Sequence, residues 1–125
     1  MLHFLTDEHI PPAVADAAAR IWPSIKITPL KDWHKGEFLG ARDELFIPVS
    51  ISERMTLVTY DQKTVRPFFK RWIEEDRENR GVVFVDEKSI APNEIGAMAK
   101  ALCALWNCGR RWDWRNRVIF LKRVD

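Results

Sequence analysis

The stretch Leu2-His3-Phe4-Leu5-Thr6-Asp7-Glu8-His9-Ile10-Pro11-Pro12 decides how the rest of the sequence is interpreted. Residues 2–5, apolar apart from one histidine, predict a short buried strand; two carboxylates follow, and a proline pair then opens a helix. In a parallel α/β sheet such a junction lies at the carboxyl edge, where ligands bind. Asp7 is therefore the first candidate for the centre of a functional site, although the helix dipole alone also favours acids there.

The composition is typical of a globular chain. Of the 125 residues, 46% are hydrophobic and 30% are charged, which fits one domain over residues 1–125. No apolar run approaches the ~20 residues that cross a bilayer, and the first residues lack the layout of a signal peptide. Cys103 and Cys108 stand five apart, so neither a disulfide nor a metal pair is expected. We therefore expect a cytoplasmic protein that has no membrane partner.

Charge is unevenly divided between the two halves of the chain. Residues 1–65 carry 7 Lys+Arg against 9 Asp+Glu, a net charge of −2, and residues 66–125 carry 13 against 9, a net charge of +4. An acidic first half and a basic second half suit a protein that holds a cation and meets a polyanion.

Apolar segments alternate with helical patterns along the chain. Further strands are predicted at 25–28, 55–59, 82–85 and 118–121, and helices at 13–22, 42–53, 66–79 and 92–109. A loop at 29–40 is long enough to be functional, and Pro48 predicts a kink or a restart in the second helix. This alternation predicts an α/β fold, a three-layer α/β/α arrangement with a mainly parallel central sheet of about five strands.

Acidic residues stand at three predicted element ends. Asp7 follows the first strand, Asp61 follows the third, and Asp43 and Glu44 lie in the first turn of the helix between the second and third strands. If the first and third strands are neighbours, their carboxyl ends open on one crevice. Clustered carboxylates repel one another, and a hard cation such as Mg²⁺ or Mn²⁺ relieves that repulsion. Such an ion can activate a water for attack on a phosphodiester.

The chain resembles the PIN-like family of small bacterial nuclease toxins in the segments Phe4-Leu5-Thr6-Asp7-Glu8-His9-Ile10-Pro11-Pro12, Asp43-Glu44-Leu45-Phe46 and Leu57-Val58-Thr59-Tyr60-Asp61. Members of that family open with an apolar strand ending in Asp-Glu-Asn and one or two prolines. They have an Asp-Glu helix start in mid-chain and leave a later strand through Val-Thr-x-Asp. The order and spacing of these segments agree over nearly the whole chain, which implies a single PIN-like domain over residues 1–125.

The resemblance implies a metal-dependent ribonuclease, often the toxin of a toxin–antitoxin pair, with RNA as substrate and an antitoxin protein as partner. Asp7 would be the primary ligand of a Mg²⁺ or Mn²⁺ ion, and Asp61 the acid across the crevice. Asp43 or Glu44 would be the acid from the helix, and Glu8 a further candidate ligand beside Asp7.

Two positions depart from the family pattern. His9 stands where the family usually has Asn, and Lys63 stands where a second Asp commonly follows the strand exit. The loss of one acid makes a single Mg²⁺ more plausible than a two-ion site.

Basic residues beyond Asp61 are candidates for binding substrate phosphates. Lys63 lies in the strand exit, although it also fits an exposed, solvated lysine. Arg66, Lys70 and Arg71 start the third helix, although they also fit a solvated helix face. Residues 110–117 interleave four arginines with two tryptophans, a mixture that holds single-stranded RNA in some proteins. The same residues suit packing combined with a protein interface, to an antitoxin or to a second copy in a homodimer, and we favour that interpretation.

Two other functions stay open. A phosphoacceptor receiver domain also has paired acids after strand one and an Asp after strand three. It needs a Ser or Thr after strand four and a Lys after strand five, for which Ser89 and Lys122 are imperfect stand-ins. A non-catalytic PIN-like binding subunit is the second alternative, and the Lys63 departure keeps it open.

Overall fold

The computed structural model of the protein describes residues 1–124. Strands and helices alternate along these residues, and a short 3₁₀ helix lies at Trp33–Gly36. The strands are β1 Phe4–Thr6, β2 Ile27–Pro29, β3 Thr56–Thr59, β4 Val82–Val85 and β5 Val118–Leu121. The helices are α1 Ala13–Ile21, α2 Asp43–Ser52, α3 Gln62–Glu74 and α4 Ile95–Gly109.

The five strands form one parallel sheet in the order β2-β1-β3-β4-β5. Phe4 of β1 is in register with Ile27 of β2 on one side and with Thr56 of β3 on the other. The sheet continues from Leu57 to Val82 and from there to Val118. The predicted α/β class with a parallel central sheet of about five strands is therefore confirmed, and β1 and β3 are neighbours.

Helices cover both faces of the sheet because the strand side chains alternate in direction. Phe4, Val58 and Val83 belong to the buried cluster on the side of α1 and α4. Leu5 and Leu57 belong to the cluster on the side of α2 and α3. The central strands are buried on both faces, which is why they read as apolar runs with little alternation.

The third helix begins four residues earlier than 66 and ends five residues earlier than 79. Its start is set by Asp61, whose side chain accepts a hydrogen bond from the amide of Thr64 at 3.1 Å. Its end is set by Asp76, which adopts a left-handed φ of 57°, while the amide of Arg77 donates to the carbonyl of Trp72 at 3.1 Å. The cap lies in a polar stretch without hydrophobic periodicity, so the prediction placed the start too late.

Other boundaries also differ from the predicted ones. The helix α2 runs through Pro48 without interruption, so the expected restart is not observed. The fourth helix starts at Ile95 instead of residue 92, because the residues after Pro92 form a turn. The strand β1 extends to Thr6, and this places Asp7 directly at the strand end.

Cys103 and Cys108 are both free. Cys103 is buried and donates to the carbonyl of Ala18 at 3.4 Å, whereas Cys108 is exposed. Among residues 1–124, no helix combines the length and the apolar character that crossing a membrane requires.

Candidate functional site

A small cleft lies at the carboxyl edge of the sheet between the ends of β1 and β3. The chain leaves β1 for β2 on one side and later returns to β3 on the other, so the strand order reverses here. In doubly wound sheets ligands bind at such a switch point. The volume of about 30 Å³ is enough for an ion or a few waters. The cleft is lined by Asp7, Glu8, His9, Leu30, Ala41, Asp43, Phe46 and Asp61.

Asp7 is the buried carboxylate of this cleft, with only 6% of its surface exposed. Its Oδ1 accepts a hydrogen bond from the amide of His9 at 3.0 Å, and its Oδ2 accepts one from the hydroxyl of Thr59. Burial raises the pKa of Asp7 to about 6, and the charge of Asp61 adds to the rise. The hydrogen bonds from Thr59 and His9 oppose it. A carboxylate that titrates this close to neutral pH is characteristic of functional sites.

The strand pleat explains why Asp7 and Thr59 meet. Leu5 and Leu57 face the α2 and α3 side of the sheet, and they lie opposite one another in the register of β1 and β3. The residues two positions further on, Asp7 and Thr59, continue on that same side. A buried hydroxyl therefore lies beside a buried carboxylate at the end of the adjoining strand.

Asp61 combines two roles at the start of α3. Its Oδ1 accepts from the amide of Thr64 at 3.1 Å, and its Oδ2 accepts from the hydroxyl of the same residue. Partial burial acts to raise the pKa of Asp61, but the hydrogen bonds from Thr64 and from the amide of Lys63 outweigh it and lower the pKa below its ordinary value. Asp61 is therefore ionised whenever Asp7 is.

Asp43 brings a third carboxylate to the cleft from the first turn of α2. Partial burial raises its pKa, the charges of Asp61 and Glu44 add to the rise, and the hydroxyl of Thr64 opposes it. Glu44, the next residue, lies in a different groove beside Arg71. Of the two acids predicted for this helix, the structure therefore brings Asp43 to the cleft and leaves Glu44 outside it.

Glu8 lines the rim of the cleft, although its side chain is exposed. Its Oε2 accepts a hydrogen bond from the amide of Gly40 at 3.2 Å. This contact ties the loop between β2 and α2 to the end of β1. The end of the loop at Gly40 therefore lies against the rim of the cleft.

The basic side chains predicted to bind substrate are spread over several surfaces. Lys63 lines a groove of about 360 Å³ that adjoins the cleft and shares Asp61 with it. Arg66 lies 5.7 Å from the ring centroid of Phe120, Lys70 is exposed on α3, and Arg71 lines the groove of Glu44. Among these residues only Lys63 adjoins the cleft.

Several residues of the site were not singled out from the sequence. Thr59 and Thr64 hold the carboxylates of Asp7 and Asp61. Asp86 follows β4 directly and lines the groove of Lys63. The signal that selects Asp7 and Asp61, an acid just beyond a buried strand, also selects Asp86. No local pattern distinguishes the two threonines, because their role depends on side chains far along the chain or on the cap geometry.

The donor set suits a hard cation in its chemistry. The three carboxylates supply oxygen ligands, which Mg²⁺ and Mn²⁺ prefer, and the charge of Asp61 raises the pKa of both Asp7 and Asp43. A cation in the cleft would relieve that repulsion. Within residues 1–124 no three His, Cys, Asp or Glu side chains stand together as a ready ligand set. The oxygens of Asp7 and Asp61 are turned to Thr59 and Thr64 instead, so ion binding requires side-chain rotation.

The strand order bears on the receiver-like alternative. The order β2-β1-β3-β4-β5 is that of flavodoxin-like doubly wound sheets, the group that includes receiver domains. The last residue of β4 is Val85, and the hydroxyl of Ser89 accepts a hydrogen bond from the amide of Arg123 at 2.8 Å. Lys122 directly follows β5. The topology and the lysine therefore agree with that alternative, whereas the hydroxyl is missing from the end of β4.

Comparisons of the chain with protein-family models, with curated proteins and with solved structures found no match. The resemblance to the PIN-like family therefore stays a prediction.

Proposed function

We propose that this chain is a Mg²⁺- or Mn²⁺-dependent ribonuclease, the toxin component of a toxin–antitoxin pair. The observation that carries the proposal is the meeting of Asp7, Asp43 and Asp61, from three separate segments, around one cleft at the switch point of the sheet. The charge of Asp61 raises the pKa of both Asp7 and Asp43, and a bound cation would relieve this repulsion.

In this proposal Asp7, Asp43 and Asp61 hold the ion, which when bound supplies a charge that activates water and stabilises the phosphodiester. The hydroxyl of Thr59 and the amide of His9 orient Asp7, and Thr64 orients Asp61. These hydrogen bonds hold the carboxylates of Asp7 and Asp61 at the cleft in the metal-free protein, and their oxygens would turn from the threonines to the ion when it binds.

The groove next to the cleft is the proposed path of the RNA strand. It is lined by Tyr60 and Asp61 on the cleft side and by Lys63 and Lys88. The two lysines supply positive charge for phosphates beside the metal ligands. The acids Asp86 and Glu87 in the same groove repel phosphates, which favours a short contact over a long binding track.

The partner proposals follow from the family resemblance. They are an antitoxin protein, an association of two copies, and a cytoplasmic setting. The apolar side chains of Val118 and Phe120 are each 45% exposed on the edge strand β5 and offer surface for a protein partner.

The test is cleavage of single-stranded RNA by the purified protein with Mg²⁺, with Mn²⁺ or with excess EDTA. We expect cleavage only with a metal ion, and we expect Asp7→Asn to lower its rate at least about 100-fold. Binding of Mn²⁺, followed by electron paramagnetic resonance, supplies a measurement independent of activity, and the same substitution should weaken it. Cleavage that persists in EDTA, or full activity of Asp7→Asn, would overturn the proposal.

The matched control is Glu44→Gln. It removes one carboxylate from the residue next to Asp43, but its side chain lies outside the cleft. We expect it to retain cleavage and Mn²⁺ binding within about threefold. If Glu44→Gln loses activity and Asp43→Asn does not, Glu44 is the ligand and the assignment of Asp43 is wrong.

The strand order favours one second candidate, the phosphoacceptor domain. Incubation with acetyl phosphate and Mg²⁺ would then add one phosphoryl group to Asp61, detected as a mass increase that Asp61→Asn abolishes. If the chain is a binding subunit without activity, we expect neither cleavage nor phosphorylation. The folded protein should then still bind its partner.

A further inference from the structure

We propose that the amino edge of the sheet, opposite the carboxylate cleft, binds a phosphate dianion. A pocket of about 140 Å³ at this edge brings together four arginines and two tryptophans. It is lined by Met1, Leu2, Arg54, Thr56, Arg80, Arg110, Trp112, Asp113, Trp114 and Arg115. The proposed ribonuclease activity does not use this pocket, so either proposal can fail while the other stands.

The arginines come from separate connections that the fold draws to one edge. Arg54 precedes β3, Arg80 precedes β4, Arg110 follows α4, and Arg115 precedes β5. In a parallel sheet the chain segments before each strand meet at the amino edge, so these guanidinium groups converge although they are far apart in sequence. Like charges gathered in this way are unfavourable unless an anion lies among them.

Three of the four guanidinium groups have no acidic partner within residues 1–124. The ion pairs of that part of the chain include Arg115, which meets Asp113 at 2.9 Å and Glu78 at 3.8 Å. None of them includes Arg54, Arg80 or Arg110.

Asp113, the one acid among the residues that line the pocket, is already paired with Arg115. Asp113 accepts hydrogen bonds from the side chain and the amide of Arg115, and these hydrogen bonds lower the pKa of Asp113 to about 2. Its charge is therefore balanced by Arg115 at any ordinary pH. The pocket keeps a positive excess from Arg54, Arg80 and Arg110.

Residues that line the pocket make hydrogen bonds and ring contacts with the rest of the fold. The carbonyl of Arg80 accepts from the hydroxyl of Thr56 at 2.7 Å, and the guanidinium of Arg110 lies 5.1 Å from the ring centroid of Trp106. Trp114 is buried and donates from Nε1 to the carbonyl of Gly109 at 2.7 Å. These contacts fix the backbone of Arg80 and place the guanidinium of Arg110 against a buried ring.

Size and charge identify the class of ligand. The pocket is below the roughly 300 Å³ at which sites for drug-sized molecules begin, so it suits a small anionic group. Planar guanidinium groups match the oxygens of phosphate through paired hydrogen bonds. Trp112 is stacked on Trp114, with ring centroids 6.0 Å apart, and the guanidinium of Arg117 lies 5.0 Å from the centroid of Trp112.

The test is isothermal titration of the full chain with inorganic phosphate at low salt. We expect saturable binding of one phosphate per chain, weakened by added salt. Arg54→Gln and Arg80→Gln should each raise the dissociation constant about tenfold, because each removes charge-assisted hydrogen bonds. Arg54→Lys, which keeps the charge but loses the paired geometry, should give an intermediate value.

The control is Arg20→Gln, which removes an exposed arginine from the last turn of α1. It should leave the dissociation constant unchanged. Melting temperatures without phosphate identify any variant that fails to fold, and Arg54→Lys then carries the comparison. Absence of saturable binding in the natural chain, or equal affinities of Arg54→Gln, Arg80→Gln and Arg20→Gln, would overturn the proposal.

The phosphate group could belong to a free nucleotide or to the end of an RNA chain, and the titration distinguishes these two ligands. Adenosine monophosphate stands for a free nucleotide, and a short RNA with a 5′-phosphate stands for the end of a chain. Tighter binding of the 5′-phosphorylated RNA than of inorganic phosphate indicates an RNA end, whereas equal binding of phosphate and nucleotide indicates a free ligand. If an RNA with a 5′-hydroxyl binds as tightly as the 5′-phosphorylated RNA, and its binding also depends on Arg54 and Arg80, the pocket recognises the backbone phosphates. The proposal of a phosphate dianion is then wrong.

Discussion

Asp7 is the residue at which the chemistry of the proposed site and the stability of the fold conflict. Its carboxylate is 6% exposed and holds its proton up to a pH of about 6, whereas an unfolded chain releases it near 3.8. The native state therefore binds more protons than the unfolded state between these two values. The free energy of unfolding should fall as pH rises through this window, and the loss is complete above it.

We expect Asp7→Asn to raise the free energy of unfolding of the metal-free protein at pH 8 by up to about 3 kcal/mol. The amide is neutral, so it removes the penalty of a buried charge, and it still offers an oxygen to the amide of His9. The difference between the variant and the natural chain should shrink as pH falls from 6 toward 4. Urea unfolding in EDTA at several pH values measures it.

Asp16→Asn provides the reference for this measurement, because Asp16 is an exposed acid in α1. Its effect on unfolding should stay within about 0.5 kcal/mol at every pH. A destabilised Asp7→Asn at pH 8 would mean that the hydrogen bond from Thr59 outweighs the cost of burial. The pKa of Asp7 would then lie below its ordinary value.

The helix α3 shows how one side chain serves both an element and the proposed site. Asp61 caps the helix through Thr64 and also contributes a carboxylate to the cleft. The cap requires an acceptor oxygen, which Asn retains, whereas ion binding requires the charge. The two functions are therefore separable by substitution.

We expect Asp61→Ala to lower the free energy of unfolding by about 1 kcal/mol, because it leaves the amide of Thr64 without its partner. Asp61→Asn should lower the free energy of unfolding by only a few tenths of that amount. Both variants should lose Mn²⁺ binding. Urea unfolding in EDTA and Mn²⁺ titration of the two variants give the comparison. Equal stability of the two variants would show that the cap contributes nothing measurable.

Across the whole molecule, the parallel sheet separates the two proposed sites. Asp7, Asp43 and Asp61 meet at the carboxyl edge and four arginines meet at the amino edge, so the two clusters do not follow the division of the sequence into halves. Arg54 comes from the acidic half but belongs to the basic pocket, and Asp86 comes from the basic half but lies at the acidic edge. The division at residue 65 was therefore an imperfect guide to where a cation or a polyanion would bind.

We expect amide hydrogen exchange to be slowest in β3 and much faster in β5. The strand β3 is buried and hydrogen-bonded on both sides, so its amides exchange only on global unfolding. The strand β5 has one free edge and exposed side chains at Val118 and Phe120, so local opening suffices. Exchange measured by NMR gives the order, and equal protection of the two strands would indicate that a partner covers the β5 edge.

The sequence by itself determined the α/β class and most element positions. The strands at 82–85 and 118–121 were predicted at their observed bounds, and Asp7 and Asp61 were correctly placed beyond strand ends. Apolar runs, prolines and turn residues are local signals, so they are readable without knowledge of the neighbours. The start of α3 was misplaced because a single capping residue, Asp61, sets it.

Only the tertiary structure decided which of these ends meet. It made β1 and β3 neighbours and turned Asp43 toward the cleft and Glu44 away, although the two residues are adjacent in the helix. It also placed Thr59 against Asp7, 52 residues away, and gathered the arginines of the amino edge. Strand order and helix rotation result from packing between distant segments, and no local pattern in the chain encodes that packing.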